Sequence, residues 1–147
     1  MKRTILDFTK KRILLLIIGM IFINNGYSQY LGWKINRIHR NLRIECDCEF
    51  EISYQDTGKV EYIFKGDPRV FKMIFFMNKN TGRCFRYAAY CANSFENSLQ
   101  NFISENYIHN GEKDYYENNR SVLFLQYNDK NIIIHILDKR TSSNNSI

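Results

Sequence analysis

The sequence predicts an α+β domain: an antiparallel sheet of about six strands with two helices on one face, in the order α-β-β-β-β-α-β-β. Four consecutive stretches have the alternation or the apolar runs of strands, with short turns between them. One amphipathic helical pattern precedes this group, and a second one follows it before a closing hairpin. Strands joined by short turns pair antiparallel, and helices gathered on one face complete a two-layer domain.

The first 28 residues have the features of a secretory signal peptide. Basic residues around Lys11 precede an unbroken apolar run of eleven residues, Ile13–Ile23, and small residues follow it. Such a run is too short to cross the roughly 30 Å apolar core of a bilayer as a helix. We expect cleavage between Ser28 and Gln29, which places the mature protein in the periplasm or outside the cell.

Removal of the leader changes the electrostatic interpretation. The whole chain carries a formal net charge of +6, but five of its 21 basic residues and one of its 15 acidic residues lie in the leader. The rest of the chain has sixteen basic and fourteen acidic residues, a balance that argues against a nucleic-acid partner. We expect one α+β domain over residues 29–140, a disordered tail over 141–147, and no stable membrane insertion after cleavage.

Apolar spacing sets the predicted elements. Helices are predicted over 30–43 and from Asn93 or Ser94 to about Asn110. Strands are predicted over 44–54, 59–65, 69–77, 83–92, 122–127 and 132–137. Residues 112–120 are predicted to be a polar connection. The predicted core consists of Ile44, Phe50, Ile52, Tyr62, Phe64, Phe71, Phe75, Phe85, Leu99, Phe102, Val122, Phe124, Ile134 and Ile136.

Two charged rows have alternative interpretations. The first helix carries Lys34, Arg37, Arg40 and Arg43 away from its apolar stripe. This basic side is either a contact for an acidic partner or anionic lipid, or an ordinary solvated face, which we favour. The first predicted strand carries four carboxylates on one face, either as a Ca²⁺ site or as an acidic outer face opposite Lys and Arg of a neighbouring strand. Residues two apart on a strand stand roughly 6.6 Å apart, too far to share one Ca²⁺ ion, so we favour the acidic outer face.

The sequence offers no catalytic set, metal site or cofactor motif. His39, His109 and His135 stand alone, without the spacing that metal sites use. No nucleophile motif or glycine-rich phosphate loop occurs. A Cys–His nucleophile pair brought together by folding is the remaining enzymatic alternative. We therefore expect no enzyme.

Three tyrosines near the polar connection form a candidate recognition surface. Tyr107, Tyr115 and Tyr116 offer large contact area with a polar tip. The alternative is that they cap one end of the core.

The four cysteines are Cys46, Cys48, Cys84 and Cys91. An even number in an exported domain predicts pairing. Within one extended strand, Cys84 and Cys91 would be about 23 Å apart, far beyond the roughly 7 Å between Cα atoms that a disulfide tolerates. Cys91 shares the apolar phase of Tyr87. We predict a bond from Cys91 to Cys46 or Cys48, with Cys84 the free or exposed thiol; four reduced, buried cysteines are the alternative.

The stretches "FFMNKNTGRC", "NFISENY" and "VLFLQYNDKNIIIHIL", with the Ser28-Gln29 junction, resemble small secreted proteins of Gram-negative bacteria whose function is unknown. Such proteins tend to carry Trp after the second helix, where this chain has Tyr115 and Tyr116. The resemblance implies export and no particular activity. We expect a periplasmic or secreted binding module of the inhibitor or immunity type with a protein partner; a structural accessory of the envelope and an enzyme with a scattered site are the alternatives.

Overall fold

The computed structural model describes residues 30–45, 49–65 and 70–142. The predicted leader with its junction at Ser28 and Gln29, Cys46, Cys48 and residues 143–147 lie outside the described residues. The helices are α1 (Ile35–Glu45), α2 (Glu96–Asn106, after a 3-10 turn, Asn93–Phe95) and the short α3 (Lys139–Ser142). The strands are β1 (Phe50–Gln55), β2 (Lys59–Phe64), β3 (Val70–Met77), β4 (Cys84–Ala92), β5 (Ile108–His109), β6 (Tyr115–Glu117), β7 (Ser121–Tyr127) and β8 (Asn131–Asp138).

All eight strands form one sheet in the order β1-β2-β3-β4-β8-β7-β6-β5. Every neighbouring pair is antiparallel. The sheet consists of two units of the same topology, each a helix followed by four strands, which meet where β4 pairs with β8. If each strand is replaced by its counterpart four strands along the chain, the same order results, now read from the opposite edge of the sheet. The topology is therefore two-fold symmetric about the β4–β8 pair.

The α+β class and the antiparallel sheet are confirmed, but the predicted six strands and their order are wrong. The structure has the order α-β4-α-β4 because the segment after α2 adds β5 and β6. These strands have two and three residues, too few for alternation to show in the sequence. Pairing of Tyr115 with Phe124 and of Glu117 with Val122 aligns β6 with the long strand β7.

One hydrophobic core lies between the sheet and the two longer helices. Ile38 and Leu42 from α1, and Leu99 and Ile103 from α2, are 0–2 % exposed. From the sheet, the core includes Val60, Tyr62, Phe64, Met73, Phe75, Tyr87, Ala89, Cys91, Leu123, Leu125, Ile132, Ile134 and Ile136. The apolar stripes predicted for both helices are confirmed, but the first helix begins at Ile35 and not at residue 30. Helix α2 begins at Glu96, after the 3-10 turn, and not at Asn93 or Ser94; it ends at Asn106, before Tyr107 adopts an extended backbone.

Ile44 is not a core residue. The prediction started a strand here, but α1 continues through Glu45 and leaves the Ile44 side chain 75 % exposed. Residue 44 follows Leu42 by about 200° around the helix, so it faces away from the sheet. Among the described residues, the strand predicted from Ile44 begins at Phe50, as β1.

A β-bulge explains why Phe85 does not lie in the core and why Cys84 is not exposed, contrary to the predictions. Phe76 pairs with Arg86 while Met77 pairs with Cys84, so Phe85 is an extra residue without a partner on β3. The bulge reverses the facing of the strand, and Cys84 is 2 % exposed on the same side as Tyr87 and Cys91. Phe85 is only half-buried and stays outside the core.

Three other predicted core residues lie on the second face of the sheet, opposite to the helices. Val122 is buried and Phe71 and Phe124 are half-buried, yet none of them belongs to the core between sheet and helices. Phe50, Ile52 and Phe102 are partly buried against it. The remaining predicted core residues are confirmed: Tyr62, Phe64, Phe75, Leu99, Ile134 and Ile136.

Gly58 fixes the turn between β1 and β2. Its φ is +77°, a conformation that residues with a Cβ rarely adopt. A Cβ at this position would stand 2.8 Å from the carbonyl oxygen of Met77. The hairpin predicted at this position therefore depends on glycine for its conformation and for its approach to β3.

The chain leaves the sheet through α3, which takes in the first two residues of the predicted tail. None of the helices in the described ranges is both long enough and apolar enough to cross a bilayer.

Candidate functional site

The second face of the sheet, which we call the open face, carries a cluster of aromatic and charged side chains. Neither α1 nor α2 contributes to it, since both pack into the core on the first face. Cross-strand pairing places three rows on it: Glu61, Ile74, Ala88, His135, Phe124 and Tyr115; Lys59, Phe76, Arg86, Leu137, Val122 and Glu117; Ile63, Lys72, Tyr90, Ile133 and Gln126. Phe76, Tyr90, Tyr115 and Phe124 are half-buried.

Arg86 and His135 form the centre of the open face. The Arg86 Nη2 atom lies 3.1 Å from His135 Nδ1, and His135 Nε2 lies 3.2 Å from Gln126 Oε1. Because a guanidinium only donates hydrogen bonds, Nδ1 is the acceptor and the imidazole proton sits on Nε2, which donates to Gln126. These contacts fix the tautomer and the orientation of the ring.

Aromatic rings support this network on both sides. The His135 ring stacks on Phe124 at 4.2 Å between centroids, and Phe124 stacks on Tyr115 at 6.1 Å. The guanidinium carbon of Arg86 lies 4.8 Å from the centre of the Phe76 ring. Both polar groups are thus held by flat apolar surfaces and by each other, which leaves them little freedom to rearrange.

His135 is held in its neutral form. Burial and then the charge of Arg86 lower its pKa from 6.5 to about 4. A general base works best with a pKa near the operating pH, so this imidazole is poorly suited to proton transfer at pH 7. Its geometry instead makes it a support for Arg86.

Arg86 has no carboxylate partner among the residues that the structure describes. The ion pairs there join Lys65 to Glu51, Lys72 to Glu61, Lys139 to Glu117 and Arg140 to Asp138. The Arg86 Nε atom is buried and lacks a hydrogen-bond partner in the same ranges. A half-buried cation without a counter-charge is unfavourable, and a bound carboxylate would relieve this cost.

A second aromatic and basic pair lies further along the same strands. The Lys72 ammonium stands 4.9 Å from the centre of the Tyr90 ring and 3.6 Å from a carboxylate oxygen of Glu61. The Tyr90 ring contacts Phe71 at 6.2 Å between centroids. Unlike Arg86, Lys72 has a carboxylate partner among the described residues.

The structure does not bring the three candidate tyrosines together. Tyr107 is buried, and its hydroxyl lies 3.2 Å from Ser121 Oγ. Tyr115 belongs to the open face, whereas Tyr116, the next residue of the strand, turns to the core side beside His109. Of the three, Tyr115 alone reaches the cluster around Arg86.

The two described cysteines are buried free thiols. Burial raises the pKa of both Cys84 and Cys91 to about 12, so neither is a reactive thiolate at neutral pH. Cys84 is free, but the exposure proposed for it is wrong, for the reason given by the bulge at Phe85. The predicted partners Cys46 and Cys48 lie outside the described residues, and Cys91 forms no disulfide in the structure.

The three histidines stand apart from one another. His39, in α1, packs against Phe50, and His109 lies beside Tyr116 at the far edge of the sheet. In the described ranges, no three His, Cys, Asp or Glu side chains are grouped so as to hold a metal ion.

The sequence interpretation missed Arg86, Gln126 and Tyr90 as site residues. The available signal was an ionisable residue in the middle of each of two largely apolar strands, Arg86 in β4 and His135 in β8. Their contact depends on the β4–β8 register, which pairs Ala88 with His135 and which the sequence does not reveal. No protein-family model, curated protein or solved structure matches this chain.

Proposed function

We propose that the protein is a non-catalytic binding module, of the inhibitor or immunity type, that acts after export and recognises a protein partner through its open face. The observation that carries the proposal is Arg86: a half-buried guanidinium, oriented by His135 and Phe76, without a carboxylate among the described residues. The partner chemistry that fits is a segment with an Asp or Glu carboxylate flanked by apolar side chains. The leader pattern supports export.

The surroundings of Arg86 support recognition. Interface residues with large effects on affinity are most often Trp, Tyr and Arg, set among apolar neighbours that exclude water. Arg86 lies over the Phe76 ring and beside His135, which in turn stacks on Phe124. Tyr90 lies four residues further along the same strand, and Tyr115 stacks on Phe124. A rigid sheet presents these groups without the loss of freedom that a loop suffers on binding.

The electrostatic state of the described nucleophiles and bases favours binding over catalysis. His135 has a pKa near 4, and the thiols of Cys84 and Cys91 have pKa values near 12. A neutral, fully engaged imidazole and two protonated thiols contribute structure and little reactivity at pH 7.

Affinity capture from envelope extract with a matched set of variants tests the proposal. The wild-type protein should retain one stoichiometric partner, and Arg86→Gln should weaken its binding about 30-fold, the effect of losing an interface residue worth about 2 kcal/mol. Tyr90→Ala should weaken it less. The control is Tyr54→Ala, which removes a 67 % exposed aromatic ring at β1 on the other face and should bind like wild type.

Two outcomes contradict the proposal. One is an extract that yields no stoichiometric partner. The other is a partner that Arg86→Gln retains at full affinity. Urea unfolding of each variant distinguishes the loss of a contact from the loss of the folded state. We expect Arg86→Gln to stay folded, because glutamine keeps a polar group beside His135.

A further inference from the structure

Helix α1 carries an exposed basic surface on the side of the sheet opposite to the open face. This basic helix surface consists of Lys34, just before the helix, with Arg37, Arg40 and Arg43. Ile44, which is 75 % exposed, lies on the same side of the helix, four residues after Arg40 and seven after Arg37. One exposed apolar side chain thus adjoins the exposed cations at the C-terminal end of α1.

The charge of the molecule is segregated toward this surface. Residues 30–45 contain four cations and one carboxylate, Glu45 at the last position of α1, so the rest of the chain after the leader has twelve basic against thirteen acidic residues. Within the described ranges, none of the four cations takes part in an ion pair. The exposed Arg83, whose backbone bridges to Lys34, extends the same positive region.

Two cations of this region are held in place. The Arg37 guanidinium lies 3.9 Å from the centre of the Trp33 ring. Arg83 donates from Nη1 to the carbonyl oxygen of Gly32 at 2.8 Å. Holding these side chains reduces the rotamer freedom that binding would otherwise remove.

We propose that the basic helix surface binds the anionic headgroups of a phospholipid bilayer, with α1 parallel to the membrane plane. Cations spread over three helical turns suit a diffuse negative surface, and exposed Ile44 can enter the boundary between headgroups and acyl chains. Such binding is peripheral and involves no insertion across the bilayer. Because α1 and the open face lie on opposite sides of the sheet, the open face would point away from the membrane.

Vesicle sedimentation tests the proposal on protein recovered from cells that express the full chain. Intact mass records the processed form, which must be the same for all variants. The probes are vesicles of phosphatidylcholine alone and vesicles with about 30 % phosphatidylglycerol. Arg40→Gln/Arg43→Gln should weaken partitioning onto the anionic vesicles about 30-fold, since each cation near such a surface contributes about a factor of five.

The matched control removes two exposed cations elsewhere. Lys113→Gln/Lys130→Gln causes the same change in net charge, and both residues are exposed outside α1. This double variant should partition within about twofold of wild type, and wild-type binding to the anionic vesicles should fall steeply as salt is added.

Three results would overturn the proposal: equal binding to neutral vesicles, equal losses for the two double variants, or no loss for Arg40→Gln/Arg43→Gln. The proposed binding function is tested separately, because Arg86→Gln leaves α1 unchanged and should partition onto vesicles like Lys113→Gln/Lys130→Gln.

Discussion

The two units of the sheet share a topology but fill their halves of the core with different chemistry. In the first unit, from Tyr30 to Ala92, aromatic rings dominate: Tyr30, Tyr62, Phe75 and Tyr87 meet at centroid distances of 5.3–5.7 Å. In the second unit, from Asn93 to Asp138, aliphatic residues dominate, with Leu99, Ile103, Leu123, Leu125, Ile132, Ile134 and Ile136.

The aromatic half leaves more polar atoms without partners. The hydroxyls of Tyr62 and Tyr87 and the Nδ1 atom of His39 are buried and have no hydrogen-bond partner among the described residues. In the second unit, the buried Tyr107 hydroxyl contacts Ser121. Aliphatic side chains bury no polar atom. Tyrosine buries a large apolar ring, but its hydroxyl is then unfavourable unless it finds a hydrogen-bond partner.

The largest expected effect is the removal of the ring that joins the aromatic half. Phe75 is fully buried and contacts Tyr30, Tyr62 and Tyr87. Phe75→Ala should lower the free energy of unfolding by about 3–5 kcal/mol, measured by urea denaturation. The control Phe71→Ala, on a half-buried ring outside the core, should cost much less. Similar losses for both would show that the aromatic cluster is not the centre of this unit.

The aliphatic half is tested at Ile134, which is fully buried on the central strand β8. Ile134→Ala should cost about 2–5 kcal/mol and Ile134→Val about 0.5–1.5 kcal/mol, because each deleted methyl group leaves unfilled space. Since β4 and β8 pair along seven residues, the two units should still unfold in one transition in both variants. Two separate transitions would break the comparison, since the units would then be independent domains.

The sequence predicts periodic elements well and register poorly. The stripes containing Ile38 and Leu99 were confirmed because a helix of three turns repeats its pattern often enough to be recognised. Strands β5 and β6 were missed because two or three residues carry no period. Phe85 was misplaced because a bulge reverses facing without changing the apolar content of the strand.

The candidate site could not be predicted from the sequence, for a related reason. Arg86 and His135 are 49 residues apart, and their contact follows from how two strands from different units align. The lone His135 in an isoleucine-rich strand was visible, but its partner was not. A site at the boundary between two units depends on the tertiary register alone.

The boundary between the units should also respond to pH through His135. Its pKa is lowered from 6.5 to about 4 in the folded protein, so the unfolded chain binds more protons between these values. The stability that the neutral imidazole contributes is therefore complete above about pH 6.5 and is lost as the pH falls toward 4. The free energy of unfolding, measured by urea denaturation at pH 7, 6 and 5, should fall by up to about 1.4 kcal/mol per pH unit. The slope should flatten in His135→Gln; an unchanged slope would show that other groups cause it.

The smallest expected effect sharpens the contrast between unpaired and paired hydroxyls. Tyr87→Phe removes a fully buried hydroxyl that lacks a partner in the described ranges, so it should leave stability unchanged or raise it by up to about 1 kcal/mol. Tyr107→Phe removes a hydroxyl that contacts Ser121 and should lower stability by about 0.5–1.5 kcal/mol. Both substitutions keep the ring, so the difference between their urea midpoints reports the hydroxyls alone. If Tyr87→Phe were the more destabilising variant, the Tyr87 hydroxyl would have a partner in solution, and the contrast in polar pairing between the two halves would fail.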